Sequence, residues 1–205
     1  MTKKTERQTR ILQSASRLFS EQRFDEVLMD EVARAAGVGK GTLYRYFRDK
    51  EDLYFAVVFD GIAQLREELQ CGAAAATDPL AQLEATLRAI VSFLSRNRFF
   101  FRLMAIEDSK AESKKSEFRQ RWKQERGALL NSIAAVLRGG AESGIFEIRH
   151  LNTEAQILLG MVRSSLRFNE DGLSADEIVE EVLRIFLRGV QKSPKDAWKP
   201  ADLHP

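Results

Sequence analysis

The chain has 205 residues, of which 44% are hydrophobic and 30% charged, the balance of an ordinary globular protein with one domain or two modest ones. Lys and Arg total 32 against 30 Asp and Glu, so the net charge of +2 excludes a protein that coats nucleic acid through overall charge. The single cysteine, the polar N-terminus and the lack of an apolar run of about 20 residues predict a cytoplasmic protein with no membrane partner.

Apolar residues recur at three- and four-residue steps through most of the chain, which predicts an all-α fold of about nine helices. Asp49 is the expected N-cap of a helix that ends near Gly72 or continues through the following alanines. Strand-like alternation is absent except over four residues near position 146. The predicted helices cover residues 6–21, two short stretches between 29 and 48, and 49–72, 79–94, 97–106, 116–138, 153–168 and 175–190.

Residue types near the helix ends predict where the later helices start and stop. Gly139, Gly140 and Gly144 are expected to break or bend the chain near the end of the helix predicted at 116–138, because glycine is a poor helix former. Asn152 or Thr153 is the expected cap of the next helix. The stretch 174–177, Ser-Ala-Asp-Glu, has the spacing of a capping box and predicts the start of the last helix.

Positive charge concentrates between residues 34 and 50. This stretch holds five basic residues against one acidic residue, a local charge of +4 in a chain whose total is +2. Leu43 and Phe47 are four residues apart and are expected to face inward, so the side chains between them point outward or sideways. A local basic surface on a short helix is the electrostatic footprint of a protein that binds DNA.

Residues 5–55 contain an ordered set of residue types: Ala15, Phe19, Val32-Ala33, Ala36-Gly37-Val38, Gly41-Thr42-Leu43-Tyr44-Arg45-Tyr46-Phe47 and Lys50-Glu51-Asp52-Leu53. With this set the segment resembles the TetR family of bacterial transcriptional regulators. Two positions depart from the family pattern: Leu28 and Gly39 stand where Thr or Ser often caps a helix, and Asp30 is expected to compensate through the helix dipole.

The resemblance implies how the chain contacts double-stranded DNA. A basic N-terminal arm with Lys3, Lys4 and Arg7 either touches the backbone or minor groove or is a solvated tail. Phosphate contacts position the protein, whereas base contacts specify the sequence. The implied contacts are Lys40, Gly41, Thr42 and Tyr44 in the major groove, with Arg45 as a further base contact, and Tyr46 and Lys50 on phosphates.

The resemblance also implies a domain organisation. Residues 1–50 form the DNA-binding domain, 51–190 an effector-binding and dimerisation domain, and 191–205 an irregular tail that holds three of the four prolines. A homodimer is expected through residues 153–190, although the same apolar faces would also suit burial inside one subunit. Those faces comprise Ile157, Leu158, Met161, Val162, Leu166, Ile178, Val182, Ile185, Phe186 and Val190.

A small-molecule effector, largely apolar, is expected to bind among the helices of the larger domain. The candidate walls are aromatic or sulfur-containing side chains, which at helical spacing also suit an ordinary core. Arg163 lies on an otherwise apolar helix and either orients the ligand or is a surface or interface arginine. The candidate contacts are Phe93, Phe101, Met104, Phe118, Trp122, Met161 and Arg163.

The predicted function is therefore a ligand-responsive, homodimeric repressor that a small effector releases from a pseudo-palindromic operator. Two alternatives remain open. One is a ligand-independent DNA-binding dimer whose pocket is filled by its own Phe99–Phe101, and the other is an activator. The sequence contains no catalytic or nucleotide-binding motif and no metal-ligand spacing, so neither an enzyme nor a cofactor is expected.

Overall fold

The structure is a computed structural model that describes residues 6–97 and 116–190, with residues 73–75 and 116–119 described by their helical backbone only. Within these ranges all regular structure is α-helical, which confirms the predicted fold class. The helix predicted at 97–106 lies outside the described residues except for Asn97, as does the tail 191–205. The eight described helices are α1 (Glu6–Glu21), α2 (Met29–Ala35), α3 (Lys40–Tyr46), α4 (Lys50–Ala75), α5 (Pro79–Arg96), α6 (Ser116–Glu142), α7 (Leu151–Arg167) and α8 (Ala175–Val190).

Helices α1 to α3 form a small unit around the apolar face of α1, whose Ile11 and Phe19 are buried. Helix α2 ends at Ala35, and Gly37 two residues later adopts φ +63°, a conformation that costs glycine little. Beyond it, the Val38 amide donates to the Ala33 carbonyl at 3.0 Å and turns the chain toward α3. This turn fixes the angle between α2 and α3, with the half-buried Val38 packed against the core.

Helix α4 is a single 26-residue helix that begins in the small unit and continues into the larger domain. The Asp49 side chain accepts from the Asp52 amide at 2.7 Å, which confirms the predicted N-cap. The helix passes Gly72 and ends at Ala75, so the alanine run extends it. In the larger domain α4 packs against α5 and α6, and α5 packs in turn against α7 and α8.

Helix α6 differs from the prediction at its C-terminal end. Gly139 and Gly140 do not break it; it ends at Glu142, and Gly144, also predicted to break the chain, follows two residues later with φ +74°. The Gly140 carbonyl accepts from the amides of Ile145 at 2.9 Å and Phe146 at 3.0 Å, so the chain folds back over the helix end. A side chain on Gly140 would overlap the buried Phe146 ring. Glycine is therefore placed here for close packing.

The start of α7 also differs from the prediction. Neither Asn152 nor Thr153 caps it; the Glu154 carboxylate reaches back and accepts from the amides of Arg149 at 2.9 Å and His150 at 3.0 Å. The side chain of Glu154, from within the start of α7, thus takes the place of the expected cap at Asn152 or Thr153. Within the described residues no helix combines the length and apolar character that crossing a bilayer requires.

The start of α8 confirms the predicted capping box. The Ser174 amide donates to the Glu177 carboxylate at 2.8 Å, and the Glu177 amide donates to the Ser174 hydroxyl at 3.3 Å. Hydrogen bonds from the Ser174 hydroxyl and then its amide lower the pKa of Glu177 below its usual value. The amides of Ser174 and Glu177, two of the groups that a helix start leaves without intrahelical partners, are thereby satisfied.

Candidate nucleic-acid interface and cavities

One face of helix α3 is buried against the core, and the opposite face is exposed to solvent. Leu43 is 0% and Phe47 is 3% exposed, as their four-residue spacing predicted. The opposite surface carries four of the predicted DNA contacts in exposed positions and two, Thr42 and Tyr46, in half-buried ones. Gly39 is the N-cap in an extended conformation and contributes no side-chain hydrogen bond. The exposed contacts are Lys40, Gly41, Tyr44 and Arg45.

Lys40, the first residue of α3, is held by Asp30 of α2. Its Nζ lies 2.9 and 3.0 Å from the two carboxylate oxygens of Asp30. The hydrogen bond to Asp30, and then the attraction between the charges, raise the pKa of Lys40 above its usual value. Sequence reasoning missed this pair because the residues are ten positions apart on different helices, where no periodic pattern connects them.

The start of α2 is stabilised by a residue other than the expected one. Leu28 is 58% exposed and its side chain has no acceptor, so it cannot cap the helix. The Glu31 carboxylate accepts from the Leu28 amide at 3.2 Å and supplies half of a capping box. Asp30, which was expected to support this helix end, directs its carboxylate to Lys40.

Lys50, predicted to contact a phosphate, also contacts the turn between α1 and α2. Its Nζ donates to the Asp25 carbonyl at 2.9 Å and lies 4.7 Å from the centroid of the Phe24 ring. The Phe24 ring in turn packs edge-on against Tyr54 of α4, with centroids 5.0 Å apart. The N-terminus of α4 is thus bound to the turn between α1 and α2.

The remaining predicted DNA contacts lie at the edges of this surface. Tyr46 packs partly against the core, and the Arg45 guanidinium lies 5.7 Å from the centroid of its ring. Arg7 is exposed in the first turn of α1. Lys3 and Lys4 of the predicted arm lie outside the described residues.

Two cavities flank α4. The first, here called the α1 cavity, has a volume of about 490 Å³ and lies between α1, α4 and the end of α5. The second, the α6 cavity, has about 560 Å³ and lies between α4, α5 and α6. The α6 cavity is lined by Arg66, Leu69, Gln70, Gln82, Thr86, Ala128, Asn131, Ser132, Ala135 and Val136.

Most of the predicted effector contacts do not line these two cavities. Phe93 lines the α1 cavity, whereas Trp122, Met161 and Arg163 line neither. Trp122 is 5% exposed and belongs to the core. Phe101 and Met104 lie outside the described residues, and only the backbone of residue 118, Phe118, is described. Sequence periodicity found buried aromatics and did not find the amides and hydroxyls that line the α6 cavity.

The apolar side chains of α7 and α8 differ in how far the chain itself buries them. Leu158, Val162, Ile178, Val182, Phe186 and Val190 are buried within the chain itself. Met161 and Leu166 are half-buried. Ile157, Ile185 and Phe168 are 51%, 49% and 65% exposed. An apolar strip therefore remains on the outside of these two helices.

A short anchored helix with exposed basic and hydroxyl side chains, following a second helix across a tight turn, is the arrangement of a helix-turn-helix DNA-binding unit. Residues 11–57 match the family described as bacterial regulatory proteins, tetR family. Residues 76–190, more than half of the chain, match the tetracyclin repressor-like C-terminal domain. The chain belongs to the TetR family, whose members are transcriptional regulators with a DNA-binding helix-turn-helix.

Curated relatives are similar over part of their length. A Staphylococcus aureus HTH-type transcriptional regulator is 43% identical over 53 residues, which are 26% of this chain and 29% of that protein. The HTH-type transcriptional activator FasR of Mycolicibacterium smegmatis is 31% identical over 103 residues, 50% of this chain and 47% of that one. The chain thus spans less than half the length of these relatives.

Solved structures are similar over nearly the whole chain. The fatty acid degradation regulator FadR from Bacillus halodurans has a TM-score of 0.78 at 20% identity, covering 92% of this chain and 98% of that one. FadR from Bacillus subtilis, solved in complex with stearoyl-CoA, has a TM-score of 0.74 at 20% identity, covering 89% and 99%. At this identity the likeness shows the fold alone.

Proposed function

We propose that this chain is a homodimeric, sequence-specific repressor that a small effector releases from its operator. The observation that carries the proposal is helix α3, which Leu43 and Phe47 anchor and which presents Lys40, Tyr44 and Arg45 to solvent. Arg and Lys recognise guanine edges in the major groove, and hydroxyl groups donate to bases or phosphates. The helix thus carries the groups that direct readout requires.

The dimer is proposed to form through α7 and α8. Ile157, Ile185 and Phe168 are large apolar side chains that one subunit leaves exposed, and Gly160 and Ser164 on the same side of α7 allow close helix approach. A two-fold dimer presents two α3 helices to two half-sites, which matches a pseudo-palindromic operator. Ile157 and Ile185 are the residues whose substitution tests the interface.

The effector is proposed to bind in the α6 cavity. Its lining joins apolar side chains to three carboxamides, two hydroxyls and Arg66, whose guanidinium lies 3.6 Å from the Glu125 carboxylate, which suits a ligand with an apolar part and a polar head. The stearoyl-CoA bound by the Bacillus subtilis structure is a ligand of this kind. We therefore extend the proposed effector from a largely apolar molecule to an acyl thioester or a similar amphipathic compound.

Helix α4 provides a direct path for release. It begins at Lys50 beside the DNA-binding unit and lines the α6 cavity at Arg66, Leu69 and Gln70. About 24 Å of continuous helix separate Lys50 from Arg66. An effector that binds better to the arrangement unable to bind DNA shifts the population toward that arrangement, and the operator is released.

Activation is the second candidate function. The relative that matches half of this chain is named a transcriptional activator, and an activator uses the same helix-turn-helix. The two roles differ in where the operator lies relative to the promoter. A third candidate, a dimer that needs no effector, is distinguished by thermal-shift titration against acyl thioesters, in which it would show no response.

The test of the central proposal is selection of bound DNA from a random pool, using the full chain. We expect an enriched pseudo-palindrome whose half-sites are separated by about one helical turn. Enrichment of a single unpaired half-site would overturn the dimeric reading. Failure to enrich any sequence, with protein that binds random DNA only weakly, would overturn sequence-specific recognition.

A further inference from the structure

The α1 cavity lies where the DNA-binding unit meets the larger domain. Leu12, Ser16 and Ser20 line it at four-residue steps along one side of α1, and Val57 and Gln64 line it from α4. The end of α5 supplies the third wall. A volume of about 490 Å³ is in the range of small-molecule sites, roughly 300–1,000 Å³.

Some polar groups around this cavity already have partners in the chain. The Asp60 carboxylate accepts from the Gln64 amide at 2.9 Å. The Arg96 guanidinium donates to both carboxylate oxygens of Glu68 at 3.0 Å. Among the described residues that line the cavity, the only carboxylate and one of the two cations are thus engaged.

Other donors in the lining remain available. The Arg17 guanidinium makes no ion pair or hydrogen bond within the part of the chain that the structure describes. The side chains of Gln13, Ser16 and Ser95 likewise have no partner there. The cavity therefore offers one uncompensated positive charge with an amide and two hydroxyls beside it, a set that suits an oxyanion.

The floor of the cavity is apolar. Leu12, Val57 and Phe93 line it and are 3%, 5% and 1% exposed. We propose that the α1 cavity is a second ligand site, separate from the α6 cavity, for a small amphipathic anion. The oxyanion, a carboxylate or a phosphate ester, pairs with Arg17, and a short apolar body covers the floor.

Such a ligand would touch both parts of the protein at once. Helix α1 packs on α2, which packs on α3, and α1 also contacts α4. An occupant wedged between α1 and α4 restrains the orientation of the DNA-binding unit without acting through the length of α4. A ligand in the α1 cavity would therefore regulate DNA binding separately from the effector proposed for the α6 cavity.

The first test is isothermal titration calorimetry of the full chain with hexanoate, hexyl phosphate and hexanol. At least one of the two anions should bind, and which one binds identifies the head group. Hexanol, which has the same apolar body without charge, should bind at least tenfold more weakly. Arg17→Gln should weaken anion binding at least tenfold, whereas Arg10→Gln, an exposed arginine of the same helix outside the cavity, should leave it unchanged.

The second test fills the cavity without removing charge. Ser16→Phe should abolish anion binding, and Ser132→Phe, which fills the α6 cavity, should preserve it. Equal binding of hexanol, unchanged binding by Arg17→Gln, or silence with both anions would overturn the proposal. If circular dichroism shows that Ser16→Phe does not fold, the Arg17→Gln variant still tests the proposal, because Arg17 is exposed and its substitution leaves the core intact. None of these measurements uses DNA, so a negative result would count against the second ligand site without bearing on the proposed repressor function.

Discussion

Lys40 Nζ and the Asp30 carboxylate form a two-oxygen ion pair, at 2.9 and 3.0 Å, between the first turns of α3 and α2. An exposed pair of this kind contributes little to folding. We expect it to matter for DNA binding, because a carboxylate held beside a lysine that is proposed to contact bases would repel phosphates and compete with DNA for the ammonium group. Asp30 should therefore restrain binding to arbitrary sequences.

Asp30→Asn should raise affinity for random DNA several-fold and change operator affinity less, so that the ratio between the two falls. The slope of log affinity against log salt on random DNA should steepen by about one, since a freed lysine displaces one more counterion. Fluorescence anisotropy over a range of KCl concentrations measures both quantities. Asp25→Asn removes an equal charge elsewhere on the unit and serves as the control; the two variants behaving alike would argue against a role for the pair.

Lys40→Ala and Tyr44→Ala should each abolish selectivity for the operator while the oligomeric state stays that of the wild type. The side chains lie on the exposed surface of α3, and the anchors Leu43 and Phe47 remain. Competition binding against random DNA, with sedimentation velocity on the same samples, checks both statements. Wild-type operator affinity in both variants would remove α3 from the recognition surface.

Lys50→Ala should weaken binding to all sequences and flatten the salt slope by about one. It should also lower the free energy of unfolding, because the Asp25 carbonyl loses its donor and Phe24 loses its cation contact. Urea unfolding and anisotropy separate the two effects. Lys50→Arg keeps the charge and should retain DNA binding; if it binds as weakly as Lys50→Ala, charge at this position is not what DNA requires.

Gly140→Ala should destabilise the fold by about 1–3 kcal/mol, because the new methyl group overlaps the Phe146 ring. Gly139→Ala is the matched control one residue earlier, with nothing within 4 Å of its new methyl group. It should stabilise by about 0.5–1 kcal/mol through helix propensity alone. Urea unfolding measures both, and a gain in Gly140→Ala would contradict the packing described.

Ser174→Ala should cost about 1 kcal/mol of unfolding free energy through loss of the α8 cap. Glu177, the partner of Ser174 in this capping box, makes the free energy of unfolding depend on pH. Because the pKa of Glu177 is lowered in the folded chain, its contribution is present above the usual carboxyl pKa and is lost as pH falls through the folded value. Glu177→Gln should reduce this acid-side loss. Unfolding in urea at pH 7, 5, 4 and 3 compares the wild type with both variants, and identical pH profiles would contradict the assignment.

Local patterns explain which features of the fold were predictable. Asp49 caps α4 and Ser174 caps α8 through contacts three residues away, so both follow from the order of residue types. The buried faces of α1 and α3 follow from helical period alone.

Features that depend on distant contacts were not predictable. Gly140 resembles a helix breaker until Phe146 is seen to occupy the space above it. Asp30 resembles a helix-start residue until Lys40 is seen beside its carboxylate. The amides and hydroxyls that line the α6 cavity resemble ordinary surface positions. They share no period, and only the packing of three helices brings them together.

Because α4 is long, a small rotation of the helix about one end produces a large displacement of the other end. Its 26 residues span about 39 Å, so pivoting the helix by about 5° at its distal end displaces the other end by about 3.4 Å. That displacement equals the rise of one base pair along B-DNA. A pivot of this size at the distal end would thus shift α3 by about one base pair relative to its proposed half-site.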